Sequence, residues 1–381
     1  MKVYLDNAAT TPLAPEVFEA MAPYLKNEFG NPSSTHAFGR KAKAAIETAR
    51  RKIAALINAS PSEIIFTSGG TEADNMALNC AVDFLGVKRI ITSSIEHHAI
   101  IHTAEYVCQK NNITLSLVNI NENGHVDLNH LEKLLKESSE KTMVTLMHGN
   151  NEIGNLLPIN EVSEICRKND AYFHSDTVQT MGHYPFDMSN IDVDFLTCAA
   201  HKFHGPKGIG FLYINKKIKA NPMIHGGAQE RGLRGGTENL YGIIGLSKAL
   251  EIANENIESH QKYVQGLKTY MIQQLKKHFP SISFHGDITP GKSLYTVLNV
   301  CLPTTSKGEM LLFTLDLKGV ACSGGSACSS GSNKGSHVLS GINADTTRPN
   351  ARFSFSRYTT QKEIDYAIEI LIDAYETNLR S

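Results

Sequence analysis

The chain has 381 residues, of which 41% are hydrophobic and 20% are charged, and its formal net charge is −1. This length exceeds what one simple core accommodates, so we expect two subdomains. The balanced charge gives no electrostatic reason for direct nucleic-acid binding or a membrane surface, and no targeting or membrane-spanning segment is recognisable. These features predict a cytoplasmic globular protein.

The cysteine pattern argues against a disulfide framework and against a zinc site. The count is odd, the spacing is scattered, and no CxxC pair occurs. The seven cysteines are at positions 80, 108, 166, 198, 301, 322 and 328. Most are therefore predicted to be small buried side chains.

The first two thirds of the chain alternate between strand and helix patterns. Residues 2–7 predict a short strand, and helical patterns follow at 15–27 and 37–57. The later strands are predicted at 64–68, 89–95, 114–120, 143–148, 171–176, 194–199 and 209–214, and helices between them at 71–84, 99–109, 128–137 and 159–168. Such alternation predicts an α/β domain with a mainly parallel seven-stranded sheet, whose ligands bind at the carboxyl ends of the strands.

The rhythm changes after a long helical stretch predicted at 239–278. Strands at 282–285, 295–301 and 351–355 and helices at 308–317 and 361–378 follow. We therefore predict a large domain at 15–255, and a smaller α+β domain formed by 1–14 and 256–381.

Lys202 is the first candidate functional residue. It follows an apolar strand and precedes the Gly/Pro turn of residues 205–208. Burial at such a point lowers the pKa of a lysine and leaves an amine that can attack a carbonyl, as in a Schiff base with pyridoxal phosphate (PLP). Taken alone, Lys202 is better interpreted as a strand-end lysine whose amine reaches water, and only the other motifs of the chain favour the functional role.

Two further segments suit a phosphorylated cofactor. Residues 66–72 (FTSGGTE) follow a strand and open a helix, where the amides of the glycines and the Thr71 hydroxyl could hold a phosphate; Thr71 could also simply cap the helix. Asp176 ends a strand, where its carboxylate could pair with a pyridinium nitrogen, or cap a helix. Gln179 is placed to contact the phenolic oxygen of the ring.

The polar, glycine-rich residues 323–332 contain Cys328, which we interpret as an exposed and reactive thiol. Cys322 follows an apolar stretch and is either a small strand-end residue or a resolving thiol. Arg352 and Arg357 could each bind a substrate carboxylate in a fork, or form surface ion pairs.

Two apparent motifs are discounted. Residues 286–293 (GDITPGKS) match the phosphate-binding pattern GxxxxGK[ST], but the following LYTVLNVC predicts a strand where that site requires a helix. An NTPase is therefore disfavoured. His97, His98 and His102 lack a carboxylate or thiol at a spacing that would complete a metal site, so we predict no metal; one of these rings could instead stack on a flat cofactor.

Ten segments in one order resemble the cysteine desulfurases of the NifS/IscS type, within the class V aminotransferase branch of fold-type I PLP enzymes. They are YLDNAATTP (4–12), GNPSSTH (30–36), TSGGTEADN (67–75), EHHA (96–99), NNEIG (150–154), HSDTVQ (174–179), HKFHGPKGIG (201–210), RGGTEN (234–239), GGSACSSGS (324–332) and RFSFSRYT (352–359). The resemblance spans nearly the whole chain. The glycine-rich cysteine segment favours this type over the longer SufS type.

The resemblance implies a role for each matching residue. Lys202 would form the Schiff base, Cys328 would be the nucleophile, and His97 would stack on the ring and shuttle protons. The other implied contacts are Asp176 to the pyridinium nitrogen, Gln179 to the phenolic oxygen, Gly70, Thr71 and His201 to the phosphate, Thr237 to the phosphate from a second subunit, and Asn151 and Arg352 to the substrate carboxylate.

The resemblance also implies an activity and its partners. L-Cysteine would become L-alanine, with a persulfide on Cys328 that passes to an iron–sulfur scaffold or a tRNA-thiolation carrier. A homodimer is implied, and a selenocysteine lyase or a class V aminotransferase is the alternative. The family commonly has a serine two residues before the histidine of the His-Lys pair, where this chain has Ala199. The lost hydrogen bond would cost roughly 1.5–3 kcal/mol unless Thr67, Ser68 or water replaces it.

Overall fold

The structure is a computed structural model and describes residues 1–305, 308–325 and 335–379. The strands are β1 (Val3–Tyr4), β2 (Ile64–Thr67), β3 (Arg89–Ser93), β4 (Thr114–Val118), β5 (Thr142–Thr145), β6 (Tyr172–Asp176), β7 (Phe195–Ala199), β8 (Gly210–Ile214), β9 (Ser283–His285), β10 (Val297–Cys301), β11 (Val320–Ala321) and β12 (Asn350–Ser354). The α-helices are α1 (Pro15–Lys26), α2 (Ala37–Leu56), α3 (Gly70–Asp83), α4 (His98–Asn111), α5 (Leu128–Lys136), α6 (Ile159–Lys168), α7 (Leu240–Glu255), α8 (Ile257–His278), α9 (Leu311–Leu317), α10 (His337–Gly341) and α11 (Gln361–Leu379).

A seven-stranded sheet of order β2-β8-β7-β6-β5-β3-β4 forms the centre of the molecule. Of these seven strands, β8 alone runs in the opposite direction to the other six, so the predicted α/β class with a mainly parallel sheet is confirmed. The register aligns Thr67, Gly210 and Ala199 across β2, β8 and β7. The carboxyl ends of β2, β6 and β7 therefore lie at one edge of the sheet, where the candidate residues follow them.

Both faces of this sheet are covered, because alternate residues of each strand point to opposite sides. Phe66 and Leu196 belong to one apolar cluster, which they share with buried residues of α1, α2 and α7. Their neighbours Ile65 and Phe195 belong to a second cluster on the other face, with α3 and α4. Continuous apolar strands such as β7 are thus explained by burial on two sides.

A smaller sheet of order β12-β10-β9 and the β1–β11 pair accompany a third apolar cluster. That cluster joins Val3 and Leu5 to residues between Val264 and Leu371. This grouping supports the proposal that residues 1–14 and 256–381 form the smaller domain.

The predicted helix at 239–278 is two helices, α7 and α8, which meet at Asn256. The Asn256 side chain donates to the Ile252 carbonyl at 3.4 Å, a local bond that competes with helix continuation. The buried residues of α7 pack in the cluster on the large sheet, whereas those of α8 pack in the smaller one. The interruption at Asn256 therefore allows two consecutive helices to pack in two different hydrophobic cores.

A buried ion pair fixes the strand that leads into the glycine segment. The Glu230 carboxylate accepts from two Arg50 nitrogens at 2.7 and 2.8 Å and from the Phe66 amide at 2.9 Å, and both side chains are 3% exposed. We expect Glu230→Gln to lower the free energy of unfolding by about 3 kcal/mol, because the buried Arg50 charge then loses its buried partner and keeps the partly exposed Glu47 carboxylate, at 3.0 Å.

Urea unfolding of the purified protein measures this loss. Glu137→Gln, which breaks the exposed Lys133–Glu137 pair, is the control and should leave the urea midpoint unchanged. A Glu230→Gln midpoint equal to that of the control would contradict the prediction.

Candidate active site

A cavity of about 220 Å³ opens at the carboxyl ends of the central strands. It gathers residues that lie far apart in sequence: Ala8, Ala9, Gly70, Thr71, Asp74, His97, Met147, Gly149, Asn151, Asp176, Val178, Gln179, Ala199, His201, Lys202 and Arg352. Nine of the predicted site residues are among them. The cavity is our candidate active site.

Lys202 lies one turn beyond β7 and lines this cavity. Its amine donates to the carbonyl oxygens of Ala8 at 2.5 Å and Ala9 at 2.9 Å. The lysine therefore faces the N-terminal segment across the cavity and is not a strand-end side chain that simply reaches water.

Asp176 and Asp74 are a pair of buried carboxyl groups that line the cavity. Asp176 is 6% exposed and accepts from the Val178 amide at 2.8 Å. Burial raises the pKa of Asp176 to about 6, against the opposing effects of that amide and of Lys202. Burial, and then the charge of Asp176, raises the pKa of Asp74 well above its ordinary value, and two carboxylates so close together disfavour a second negative charge. The pair presents one negative charge, which suits a cationic ring nitrogen.

The Gln179 and His97 side chains complete the walls around the predicted ring site. Gln179 Nε2 donates to the Ala8 carbonyl at 3.0 Å. His97 caps α4, since its Nδ1 accepts from the Ala99 amide at 3.1 Å. Burial, and then the charge of Lys202, lowers the pKa of His97 to about 4, so the ring is neutral at pH 7. This hydrogen bond assigns the ring's single hydrogen to Nε2.

The glycine segment leaves the start of α3 open. The residue before the helix is Gly69, which provides no side-chain cap, and its φ of +155° suits glycine. A Cβ on Gly70 would come within 2.8 Å of Val178 Cγ2. Thr71 is inside the helix, so its interpretation as the cap is wrong. Uncapped amides at a helix start attract an anion, and here they face the cavity.

His201 lies opposite this helix start. Its Nδ1 is 3.1 Å from the Thr10 hydroxyl, and burial followed by the charges of Lys202 and Lys207 lowers its pKa to about 4. Neutral His201 can therefore contribute a hydrogen bond to an anion but not a charge.

Neither neighbouring hydroxyl replaces the one absent at Ala199. Thr67 donates to the Gly69 carbonyl at 3.0 Å, and Ser68 donates to Glu72 Oε2 at 2.5 Å. Glu72 is held in turn by two nitrogens of Arg234 at 2.8 and 3.1 Å. Both hydroxyl hydrogens are thus already used within the protein.

We expect Ala199→Ser to tighten PLP binding by about 10- to 100-fold, the equivalent of one hydrogen bond to a charged group. The Ala199 Cβ lies 3.7 Å from the position of a Cβ on Gly70, so the added hydroxyl would face the helix start. The rate of PLP loss from the two holoproteins during dialysis measures the effect. Equal rates would contradict it.

Arg352 reaches the cavity from β12 in the smaller sheet. It is 1% exposed and donates to the Asn151 carbonyl at 2.9 Å and to Asp6 Oδ1 at 2.8 Å. It therefore forms a buried ion pair rather than a surface one, and presents a fixed guanidinium to the cavity. Arg357 lies elsewhere, with its guanidinium 5.0 Å from the centre of the Tyr358 ring.

Thr237 and Cys322 do not line this cavity. Thr237 is exposed and does not line it in the single chain. Cys328 lies outside the described residues. Cys322 is half-buried, and burial together with the charge of Asp6 raises its pKa to about 12, so it is a protonated thiol and unsuited to a resolving role.

Sequence reasoning missed several residues that shape the site. The carbonyls of Ala8 and Ala9 carry no side-chain signal. Asp74 could have been found, since it is four residues after Gly70 and so shares its helix face. Residues 286–293 are followed by β10 rather than a helix, which confirms the dismissal of the phosphate-loop match.

The described residues contain neither a metal-binding cluster nor a membrane-spanning helix. Among those residues, no three His, Cys, Asp or Glu side chains are arranged to hold a metal ion. No helix there is long and apolar enough to cross a membrane.

The chain is similar to known proteins along nearly its full length. The family described as aminotransferase class-V matches residues 3–367. Cysteine desulfurase IscS of Dictyoglomus turgidum is 44% identical over 374 residues, 97% of this chain and 93% of the relative. A solved NifS-like protein has a TM-score of 0.91 and 34% identity, covering 99% of this chain and 100% of its own. SspA, solved in complex with cysteine, has a TM-score of 0.81 and 31% identity, with 94% and 100% covered.

The pKa of Asp176 predicts how cofactor binding depends on pH. A cationic ring needs the ionised carboxylate and lowers its pKa on binding, so PLP affinity falls as the pH drops through about 6, by up to about tenfold per unit. Spectroscopic titration of the apoprotein with PLP between about pH 5 and pH 8 measures this, because the range begins below the pKa and ends above it.

The control for that titration is Asp176→Asn, because the phosphate of PLP also titrates near pH 6. The variant retains the phosphate contribution but should bind more weakly above pH 6 and show a shallower profile. Parallel profiles for the two proteins would refute the assignment of the carboxylate.

Proposed function

The chain belongs to the aminotransferase class-V family and is a PLP-dependent cysteine desulfurase, and from this premise we propose how its residues divide the reaction. L-Cysteine is converted to L-alanine, and the sulfur is carried as a persulfide on Cys328. The observation that carries the proposal is one cavity shared by Lys202, Asp176, the open start of α3 and Arg352.

The residues present fit PLP. Lys202 would hold the cofactor covalently, Asp176 would pair with its ring nitrogen, and Gln179 would contact its phenolic oxygen. Gly70, Thr71 and His201 would hold the phosphate, and His97 would stack on the ring. The chemistry that the bound cofactor supplies is an electron sink, which acidifies the α-hydrogen of the substrate.

The substrate carboxylate would be bound by Arg352 and Asn151, with Arg352 already oriented by Asp6 and the Asn151 carbonyl. The Lys202 amine is the better base for the α-proton. The neutral His97 ring carries its hydrogen on Nε2, and its Nδ1 already accepts a hydrogen bond from the Ala99 amide. Neither ring nitrogen is therefore available to accept the α-proton. A proton relay through His97 would have to break this cap.

Sulfur transfer belongs to Cys328 in this proposal. Its thiolate attacks the substrate sulfur, a sulfur–sulfur bond forms and the carbon–sulfur bond breaks. The carbon skeleton leaves as alanine after protonation, and the sulfur remains as the persulfide. The balance is one cysteine and one thiolate in, one alanine and one persulfide out.

The decisive experiment measures alanine released from L-cysteine by the purified, PLP-loaded protein with a thiol reductant present. Alanine and sulfide in equal amounts are expected. Pyruvate in place of alanine, or no product although the cofactor spectrum is intact, would assign the protein to another PLP reaction.

We also propose a cytoplasmic homodimer. Thr237 would reach the phosphate only from a second subunit, and three exposed phenylalanines of the α1–α2 region offer apolar surface: Phe18, Phe29 and Phe38. A monomeric mass in analytical ultracentrifugation would contradict the shared site.

The persulfide sulfur would pass to an iron–sulfur scaffold or a tRNA-thiolation carrier protein, without direct nucleic-acid binding.

A further inference from the structure

We propose that Glu152 is a positioning residue for sulfur transfer. It contacts residues on both sides of the segment that carries Cys328, which we call the thiol-bearing segment (residues 326–334). The proposal rests on the proposed function. The described residues nearest to that segment on either side are Gly325 and Gly335, and Ser336 follows. We call Glu152, Gly325 and Ser336 the stem.

The three stem residues contact one another. Glu152 Oε2 accepts a hydrogen bond from the Ser336 hydroxyl at 2.5 Å. A Cβ built on Gly325 would lie 3.1 Å from Glu152 Oε2 and 3.2 Å from Ser336 Cβ. Residues 325 and 336 are thus brought together in space, with one carboxylate against both. Two residues that are eleven positions apart in sequence therefore meet at Glu152.

Ser336 is itself fixed by the element that follows. Its hydroxyl accepts from the Leu339 amide at 3.1 Å, which caps α10, while donating to Glu152. The next residue, His337, has its Nε2 2.8 Å from the Glu96 carbonyl. One side of the stem is therefore attached to α10 and to Glu96, the residue before His97, which lines the cavity.

Glu152 is held equally firmly through its backbone. Its amide donates to Asn150 Oδ1 at 2.8 Å, and its carbonyl accepts from Asn299 Nδ2 at 3.0 Å. The preceding residue, Asn151, lines the cavity and accepts from Arg352. Consecutive residues thus contact the stem and the proposed carboxylate-binding arginine, so the position of the stem relative to the substrate is fixed over a short, rigid distance.

Burying an acidic side chain at position 152 costs folding free energy, which a purely structural role would not require. The side chain is 0% exposed, and its Oε1 has no hydrogen-bond partner among the described residues. A buried acidic side chain with few partners destabilises a fold relative to a well-packed apolar one. What it adds is one short, directional bond to Ser336, which an apolar residue cannot supply.

The test compares Glu152→Ala with Glu152→Gln, which keeps a carbonyl acceptor of the same reach. We expect Glu152→Ala to slow the first sulfur transfer about tenfold or more in single-turnover assays. The cofactor spectrum and the cysteine-induced absorbance change should remain those of the parent. Glu152→Gln should transfer sulfur within about threefold of the parent, consistent with retention of the hydrogen bond.

Tryptic cleavage after Lys334 provides a second readout that needs no catalysis. Glu152→Ala should be cut there about tenfold faster than the parent, and Glu152→Gln should not. Ser336→Ala tests the other end, and the double variant should be no slower in sulfur transfer than the worse single variant.

Parental cleavage and parental transfer in Glu152→Ala would overturn the proposal, and so would loss of the cofactor together with the sulfur-transfer step. Should the parent release no alanine, the proposed function would fail. The cleavage comparison would still decide whether Glu152 ties the stem.

Discussion

Replacing Cys328 with serine is expected to lower alanine release by roughly 10³-fold or more, because the hydroxyl is not ionised at neutral pH and is a far weaker nucleophile than a thiolate. The cofactor spectrum should persist, since every residue proposed to hold PLP is intact. The measurement is alanine formed from L-cysteine, alongside the absorbance of the bound cofactor.

Cys322→Ser is the matched control for Cys328. Its thiol lies six residues away but is kept protonated, with its pKa raised to about 12 by burial. We expect this variant to release alanine at close to the parental rate. A Cys328→Ser protein that works like the parent, or a Cys322→Ser protein that is inactive with its fold intact, would reverse the two assignments.

Replacing Lys202 should have an effect of similar size. Lys202→Ala removes both the amine that holds the cofactor and the proposed base, and loss of the acid–base contribution alone accounts for about 10²- to 10⁴-fold. Lys202→Arg keeps a cation near the Ala8 and Ala9 carbonyls but has no amine that can form the covalent bond. Both variants are expected to be inactive, with PLP held without a covalent link.

Borohydride reduction followed by mass spectrometry distinguishes these states, since it fixes PLP only where the covalent link exists. The parent should gain the mass of the reduced cofactor at Lys202, and neither variant should. Lys216→Ala, which removes an exposed lysine beyond β8, should be labelled and active like the parent. Labelling of another lysine in the parent would contradict the assignment.

Sequence reasoning worked best where a side chain follows a strand. Lys202 and Asp176 were identifiable because parallel strands deliver whatever follows them to a common edge. The order of the sheet could not be derived that way, since β8 enters antiparallel between β2 and β7 through contacts distant in sequence.

Other features had no readable signal. Backbone carbonyls look alike in every sequence, so the Lys202 contacts with Ala8 and Ala9 were invisible. Arg352 and Asp6 are 346 residues apart, and neither predicts the other. The division of 239–278 at Asn256 depends on which core each half meets, a tertiary effect that outweighs local helix propensity.

The first dozen residues have a consequence for biosynthesis. They are made long before one of their partners, because Asn7 donates to the Ser354 carbonyl, 347 positions later, and Ala8 donates to the Ser354 hydroxyl. Closing so long a span costs on the order of 5 kcal/mol in chain entropy before any contact offsets it. The wall of the cavity that faces Lys202 is therefore completed only after translation has passed residue 354. We expect nascent chains that end before residue 354 to fold much of the large sheet but to have no catalytic activity.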